Sequence, residues 1–107
     1  MKEYLFLFAA IIFEVLGTLL LPVTQSFSKI IPTACVLLSY LLSFYFLTLV
    51  IKKLPLTIVY ASWAGLGVLA IAVLSAFFYK ETFNYPVVFG LMLIVIGVVL
   101  VNVYRAA

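Results

Sequence analysis

Long apolar stretches alternate with short polar ones along this chain. With polar residues, prolines and lysines as punctuation, four apolar spans emerge: about Tyr4 to Leu21, Pro32 to Ile51, Pro55 to Tyr79 and Tyr85 to Tyr104. Each is close to the length a helix needs to cross a hydrocarbon core of roughly 30 Å. None shows the two-residue alternation of a barrel strand, and backbone groups in lipid must find partners within their own segment, so the spans read as helices. The connections "PVTQSFSKI", "KKL" and "KETFN" are short, which forces consecutive helices to run antiparallel. The expected fold is an all-α integral membrane protein, with four transmembrane helices in up-down-up-down order forming a single domain over residues 1–107. The third span is long: about 25 residues reach roughly 37 Å, so tilt or a break is expected in it.

Composition agrees with the pattern. The chain is 69% hydrophobic and 8% charged, which leaves too little polar surface to cover a water-soluble globule of 107 residues. Lys2 precedes an apolar stretch as in a secretory signal, but the stretch lacks a small-x-small cleavage site and three more follow it, so it reads as a retained first span. Cys35 is the only cysteine, which rules out an intramolecular disulfide and suits a small apolar filler. The net charge of +3 is spread over separate turns, unlike a nucleic-acid footprint. Lys2, Lys52, Lys53 and Arg105 fall on one side of the membrane and Lys29 and Lys80 on the other. That bias favours both termini in the cytoplasm, and it is small enough for insertion in both orientations.

One acid stands at mid-span. In "IIFEVLGTLLLP", residues 11–22, Glu14 has no lysine or arginine beside it. An acid at that depth costs about 3 kcal/mol on insertion scales, and an ionisable group inside a span marks a functional site unless a buried partner neutralises it. Every basic residue here lies in a connection or at a terminus, which removes an ion pair within the chain. Residues at i±3, i±4 and i±7 share the face of Glu14, namely Leu7, Ala10, Gly17, Thr18 and Leu21. That face is small and mildly polar, so a backbone, a second carboxylate or a flat ligand can come close, with the Thr18 hydroxyl one turn away.

A matching face on helix 3 stacks Tyr60, Trp63, Ala64 and Gly67. Such stripes are commonly packing, but beside an unpaired carboxylate the rings also suit a desolvated organic cation, through Coulomb attraction and cation–π contact. Tyr40, Ser43 and Tyr45 on helix 2 offer further hydroxyls, and periodicity does not decide which of them face inward. Leaving water favours the neutral acid, so proton and cation would compete for Glu14, and that competition suffices for coupled antiport. Gly65 and Gly67 in "WAGLG" permit either a bend in the long third span or the close approach of another helix. Gly90 and Gly97, nearly on one face of helix 4, fit either a contact with a second subunit or ordinary packing. A four-span chain has no inverted repeat of its own; two copies inserted in opposite directions would supply one.

"FEVLGT" with Glu14, Gly17 and Thr18, then Tyr40, Pro55, "YASWAGLG", Pro86, Gly90, Gly97 and Asn102 together resemble the small multidrug resistance transporters of bacteria across almost the whole chain. The resemblance implies a dimer of four-helix subunits, commonly antiparallel, that exchanges protons for organic cations by alternating access. It implies that Glu14 of each subunit is the shared proton and substrate site, that Tyr60 and Trp63 line the pocket and that Tyr40 contributes near it. It further implies that Gly65 and Gly67 mark a helix 3 bend, and Gly90 and Gly97 the dimer contact. Guanidinium exporters of that family resemble one another in a tryptophan two positions after the central acid, where this chain has Leu16. The pattern is similar to that of the multidrug exporters, which implies quaternary ammonium or bulky aromatic substrates, with guanidinium as the alternative. Pro22 and Ser26 depart from the lysine and glycine that many drug exporters carry, which puts loop 1 in question and leaves a heterodimer open.

Enzyme chemistry lacks its parts. There is no histidine, no carboxylate cluster for a metal and no phosphate-binding glycine loop, so no cofactor is expected. The expected partners are protons, small organic cations, the lipid bilayer and a second subunit, and no nucleic acid. A competing class is a small structural subunit whose Glu14 pairs with a lysine of a larger membrane partner.

Overall fold

A computed structural model describes residues 2–104. Helix α1 covers Lys2–Leu20 and ends in a 3-10 turn at Leu21–Thr24; α2 covers Ile30–Val50, α3 Leu56–Phe78 and α4 Tyr85–Val103. All four helices are long and apolar enough to cross a membrane. The prolines explain most boundaries. Pro22 has no N–H to give back to α1, and it lies in the 3-10 turn that closes that helix. Pro32 falls inside α2 instead of at its start, because first-turn N–H groups have no intrahelical acceptor to lose. Pro55 precedes α3 in extended conformation, and the Asn84 side chain caps α4 by accepting from the Val87 N–H at 3.0 Å. α3 is one continuous helix through Gly65 and Gly67.

Cross-helix contacts give the direction of each helix. Ala10 of α1 meets Ser43 of α2, and Gly17 meets Tyr40, so α2 descends as α1 climbs. Gly67 lies against Glu14 and Tyr79 against Leu19, so α3 runs with α1. Ser62 meets Asn102 and Gly65 meets Val98, so α4 runs against α3. In space the order is α2, α1, α3, α4, as a slab of 45 × 36 × 18 Å. The helices form a row instead of a closed bundle, since α1 and α3 each have two helix neighbours and no comparable contact joins α4 to α2 among the described residues.

The row is held by a small core and a few polar ties. Leu7, Ile11 and Val15 of α1 pack with Val50, Leu54 and Val59. Phe46 of α2 stacks on both Phe6 and Phe13, at 5.9 Å between ring centres in each case. The buried Ser43 hydroxyl donates to the Ala10 carbonyl at 2.6 Å, which satisfies a polar group that lipid would leave unpaired. At the end where both termini lie, Tyr4 donates to Asn102 Oδ1 at 3.2 Å, while Asn102 Nδ2 donates to Ser62 Oγ at 2.7 Å and to the Val98 carbonyl at 2.9 Å. That amide ties α1, α3 and α4 together, and Val98 is the buried residue of α4. Arg105 lies outside the described residues.

Asn102→Ala and Ser62→Ala are each expected to lower stability in detergent by about 1 kcal/mol, the usual size of a hydrogen bond between membrane helices. The double variant should lose less than the sum, because both changes remove the same bond. Thermal unfolding of the four proteins checks this, and additive losses would show that the two side chains act independently.

Candidate functional site

Glu14 sits at the α1–α3 seam, partly buried, on the wall of a groove of about 330 Å³ lined by Glu14, Thr18, Trp63, Ala64, Gly67, Val68 and Ile71. Gly67 makes room for it: a Cβ at that position would stand 3.2 Å from Glu14 Oε1. The other carboxylate oxygen is engaged, since Thr18 Oγ1 donates to Glu14 Oε2 at 2.7 Å. Thr18 Oγ1 also lies 2.8 Å from the Tyr40 hydroxyl. A threonine hydroxyl has one proton, already given to Glu14, so Tyr40 is the donor in that second bond. The result is a directional chain from Tyr40 on α2 through Thr18 to the acid. No lysine shares this depth; Lys2, Lys29, Lys52, Lys53 and Lys80 are all exposed, at the first residue of α1 or in the connections.

Aromatic rings close one end of the groove. Trp63 stacks on Tyr60 with ring centres 5.8 Å apart and an interplanar angle of 27°, and Phe44 of α2 tilts against its indole at 6.1 Å. The indole Nε1 is buried with no acceptor among the described residues, a situation that costs about 1–3 kcal/mol if nothing else supplies one. Tyr60 itself is exposed.

The structure divides the residues expected around the acid. Glu14, Thr18 and Trp63 share the groove, Tyr60 stacks at its edge and Tyr40 stands behind Thr18. Leu7, Ala10 and Ser43 are not brought there. Leu7 belongs to the core, while Ala10 and Ser43 are fully buried in the bond that joins α1 to α2. Gly17 faces α2, where a Cβ would fall 2.8 and 2.9 Å from carbons of the Tyr40 ring. Its small size lets that ring reach Thr18. Tyr45 is exposed on the outside of α2. Gly65 serves close helix approach, since a Cβ there would overlap Val98, whereas Gly90 and Gly97 have open space beside them. Val68 and Ile71 were missed; the signal was present, because they continue the Ala64 and Gly67 rows by one turn.

A slab of four helices long and apolar enough to cross a membrane, with an acid midway along one and a groove beside it, defines a small multi-pass membrane protein. The chain belongs to the Small Multidrug Resistance protein family, whose model matches residues 2–94. It is 48% identical over 102 residues, 95% of each chain, to the quaternary ammonium compound-resistance protein QacG of Staphylococcus sp. (strain ST94). It is 42% identical over 105 residues to the multidrug resistance protein EbrB of Bacillus licheniformis, covering 98% of this chain and 88% of that one. Over 107 residues it is 39% identical to the quaternary ammonium compound-resistance protein QacE of Escherichia coli, covering 100% of this chain and 97% of that one. It is thus a multi-pass bacterial membrane protein.

Gly17→Ala is expected to push the Tyr40 ring off Thr18 and to destabilise the protein by about 1–3 kcal/mol, as overpacking does. Tyr40→Phe, which keeps the ring and loses only the donor, should cost about 1 kcal/mol. Chemical unfolding in detergent ranks the two, and a harmless Gly17→Ala would contradict the close packing of that ring.

Proposed function

We propose that this protein exports hydrophobic or quaternary ammonium cations in exchange for protons, the two competing for Glu14. The observation that carries this reading is the acid itself: a carboxylate with one oxygen held by Thr18 and the other beside Gly67, in a groove it shares with the Trp63 indole. A salt bridge would occupy that charge, and the lysines stand away from it. A cation in the groove would find Coulomb attraction on one wall and an aromatic face on the other. The printed names of the relatives, quaternary ammonium compound-resistance and multidrug resistance proteins, support the same substrate class. Guanidinium is the second reading. It presents several N–H donors, while the groove offers polar side chains only from Glu14 and Thr18, which favours cations clothed in carbon.

The working unit is read as an antiparallel dimer in the bacterial inner membrane, a homodimer or a pairing with a related subunit. Open space beside Gly90 and Gly97 on α4 supports a helix contact between copies there. The open row of helices supports a second copy facing the groove. Proton and cation would then alternate at two facing acids as the groove opens to either side, with bending at Gly65 and Gly67 as the motion within α3. No enzymatic step or cofactor enters this scheme.

Glu14→Gln should insert normally into the membrane and lose proton-driven export altogether. Because proton and cation compete for Glu14 in this reading, cation binding by the native protein should weaken as pH falls, a dependence that the variant lacks. Titration of a non-absorbing quaternary ammonium compound, followed by fluorescence of the single tryptophan at several pH values, checks both points. Retained proton-driven export by Glu14→Gln would remove the central claim. Insertion in both orientations predicts that cysteines placed near either terminus are labelled from both sides of the membrane, and labelling from one side alone would mean a fixed orientation.

A further inference from the structure

The acid divides its groove into two unlike halves. Along α3 the row Trp63, Gly67 and Ile71 repeats every fourth residue, with Ala64 and Val68 beside it. Glu14 Oε1 faces the middle member, Gly67. One turn toward the start of α3 stand the Trp63 and Tyr60 rings, backed by Phe44. One turn toward its end stands Ile71, with Val68 beside Gly67 on the way to it, both aliphatic and free of polar side-chain atoms. Ile71 is partly buried against the core and held in place by it, whereas Val68 is exposed along the groove.

From the level of Gly67 to that of Ile71 is about 6 Å along the helix, a length that a small ammonium head at Glu14 would leave empty. Rings and aliphatic side chains suit different parts of one molecule. The cationic head, and any aromatic group on it, gains from the faces of Trp63 and Tyr60. An aliphatic arm gains nothing from a ring quadrupole, and it gains from being taken out of water between Val68 and Ile71.

We infer that Val68 and Ile71 form an arm subsite, which takes an aliphatic chain of the bound cation on the side of Glu14 away from Trp63, and that the Ile71 side chain sets how long an arm the site accepts. This rests on the reading of Glu14 as the cation site and adds a direction and a length limit to it. Specificity among exported cations would then be set by two separate features, the rings for the head and Ile71 for the arm.

The test is a series of alkyltrimethylammonium ions, from tetramethylammonium through the octyl compound, titrated into the native protein and into Ile71→Phe, Ile71→Ala and Ile71→Val in the same detergent. Trp63 fluorescence reports binding, and partition into micelles cancels between proteins. In the native protein each methylene entering the subsite should tighten binding about fourfold, up to a length at which the gain stops. Ile71→Phe should bring that limit to shorter arms and lower the octyl-to-tetramethyl affinity ratio at least tenfold. Ile71→Ala should move the limit to longer arms, and Ile71→Val should fall between Ile71→Ala and the native protein. If all four proteins bind tetramethylammonium and share one slope and one limit, the arm lies elsewhere and the inference is overturned while the Glu14 reading stands. If the native protein answers to no member of the series, that reading fails and the arm subsite fails with it.

Discussion

An acid placed at the middle of a membrane helix, with no base beside it among the described residues, is the constraint on which the rest of this structure turns. Its cost of about 3 kcal/mol is offset by the groups around it. They are hydroxyls instead of cations. Thr18 donates to one carboxylate oxygen from the next turn of α1, and Tyr40 holds Thr18 from α2. A neutral donor lowers the cost of the charge without cancelling it. A lysine in the same place would have given a tighter pair and a site with no charge left to offer a ligand.

Glycine makes that arrangement possible at three points, each through clearance. Gly17 lets the Tyr40 ring approach α1, Gly67 gives the carboxylate its place against α3, and Gly65 seats α3 against Val98 of α4. Packing of this kind suits a bilayer, where apolar side chains gain little by leaving lipid and helices adhere through close contact and hydrogen bonds. The same economy explains the buried polar groups. With one side chain each, Ser43 joins two helices and Asn102 joins three. Gly90 and Gly97 lie outside this scheme, since among the described residues nothing stands within 4 Å of where a Cβ on either would be.

Much of this was legible in the sequence because bilayer thickness dictates span length, and because prolines and lysines mark where spans end. The four helices lie within two residues of the expected span ends, and Pro32 explains one of the larger offsets: a residue that stops a helix from the inside is harmless in its first turn, so α2 starts before it. The face of Glu14 was legible only as a broad sector. At about 100° per residue, Ala10 and Gly17 lie to one flank of the acid and Thr18 to the other, and sequence spacing carries no sign that one flank meets α2 while the other borders the groove. Ser43 was ambiguous for the same reason, since a hydroxyl that binds a backbone carbonyl and one that lines a pocket look alike in a list of residues. The open row of helices was not legible at all, because short loops fix direction and leave open which helices touch.

The two carboxylate oxygens of Glu14 stand in unlike surroundings, and under the proposed reading that difference has a consequence. Oε2 already accepts from Thr18, which leaves it less free than Oε1 to take a proton or a cation. Oε1 faces Gly67 across the groove, next to the wall that carries Trp63. Competition would therefore be settled at Oε1, while Oε2 keeps the carboxylate aimed. A proton on Oε1 removes the charge and leaves the Tyr40 to Thr18 to Glu14 chain intact, because a neutral acid still accepts through its other oxygen. A cation at Oε1 keeps the acid ionised, so the same chain stays stronger than it is with a proton there, since an ionised acceptor binds its donors more tightly than a neutral one. Occupancy of the groove would thus be felt on α2 as the strength of one hydrogen bond to Tyr40, with no heavy atom of the chain needing to move first.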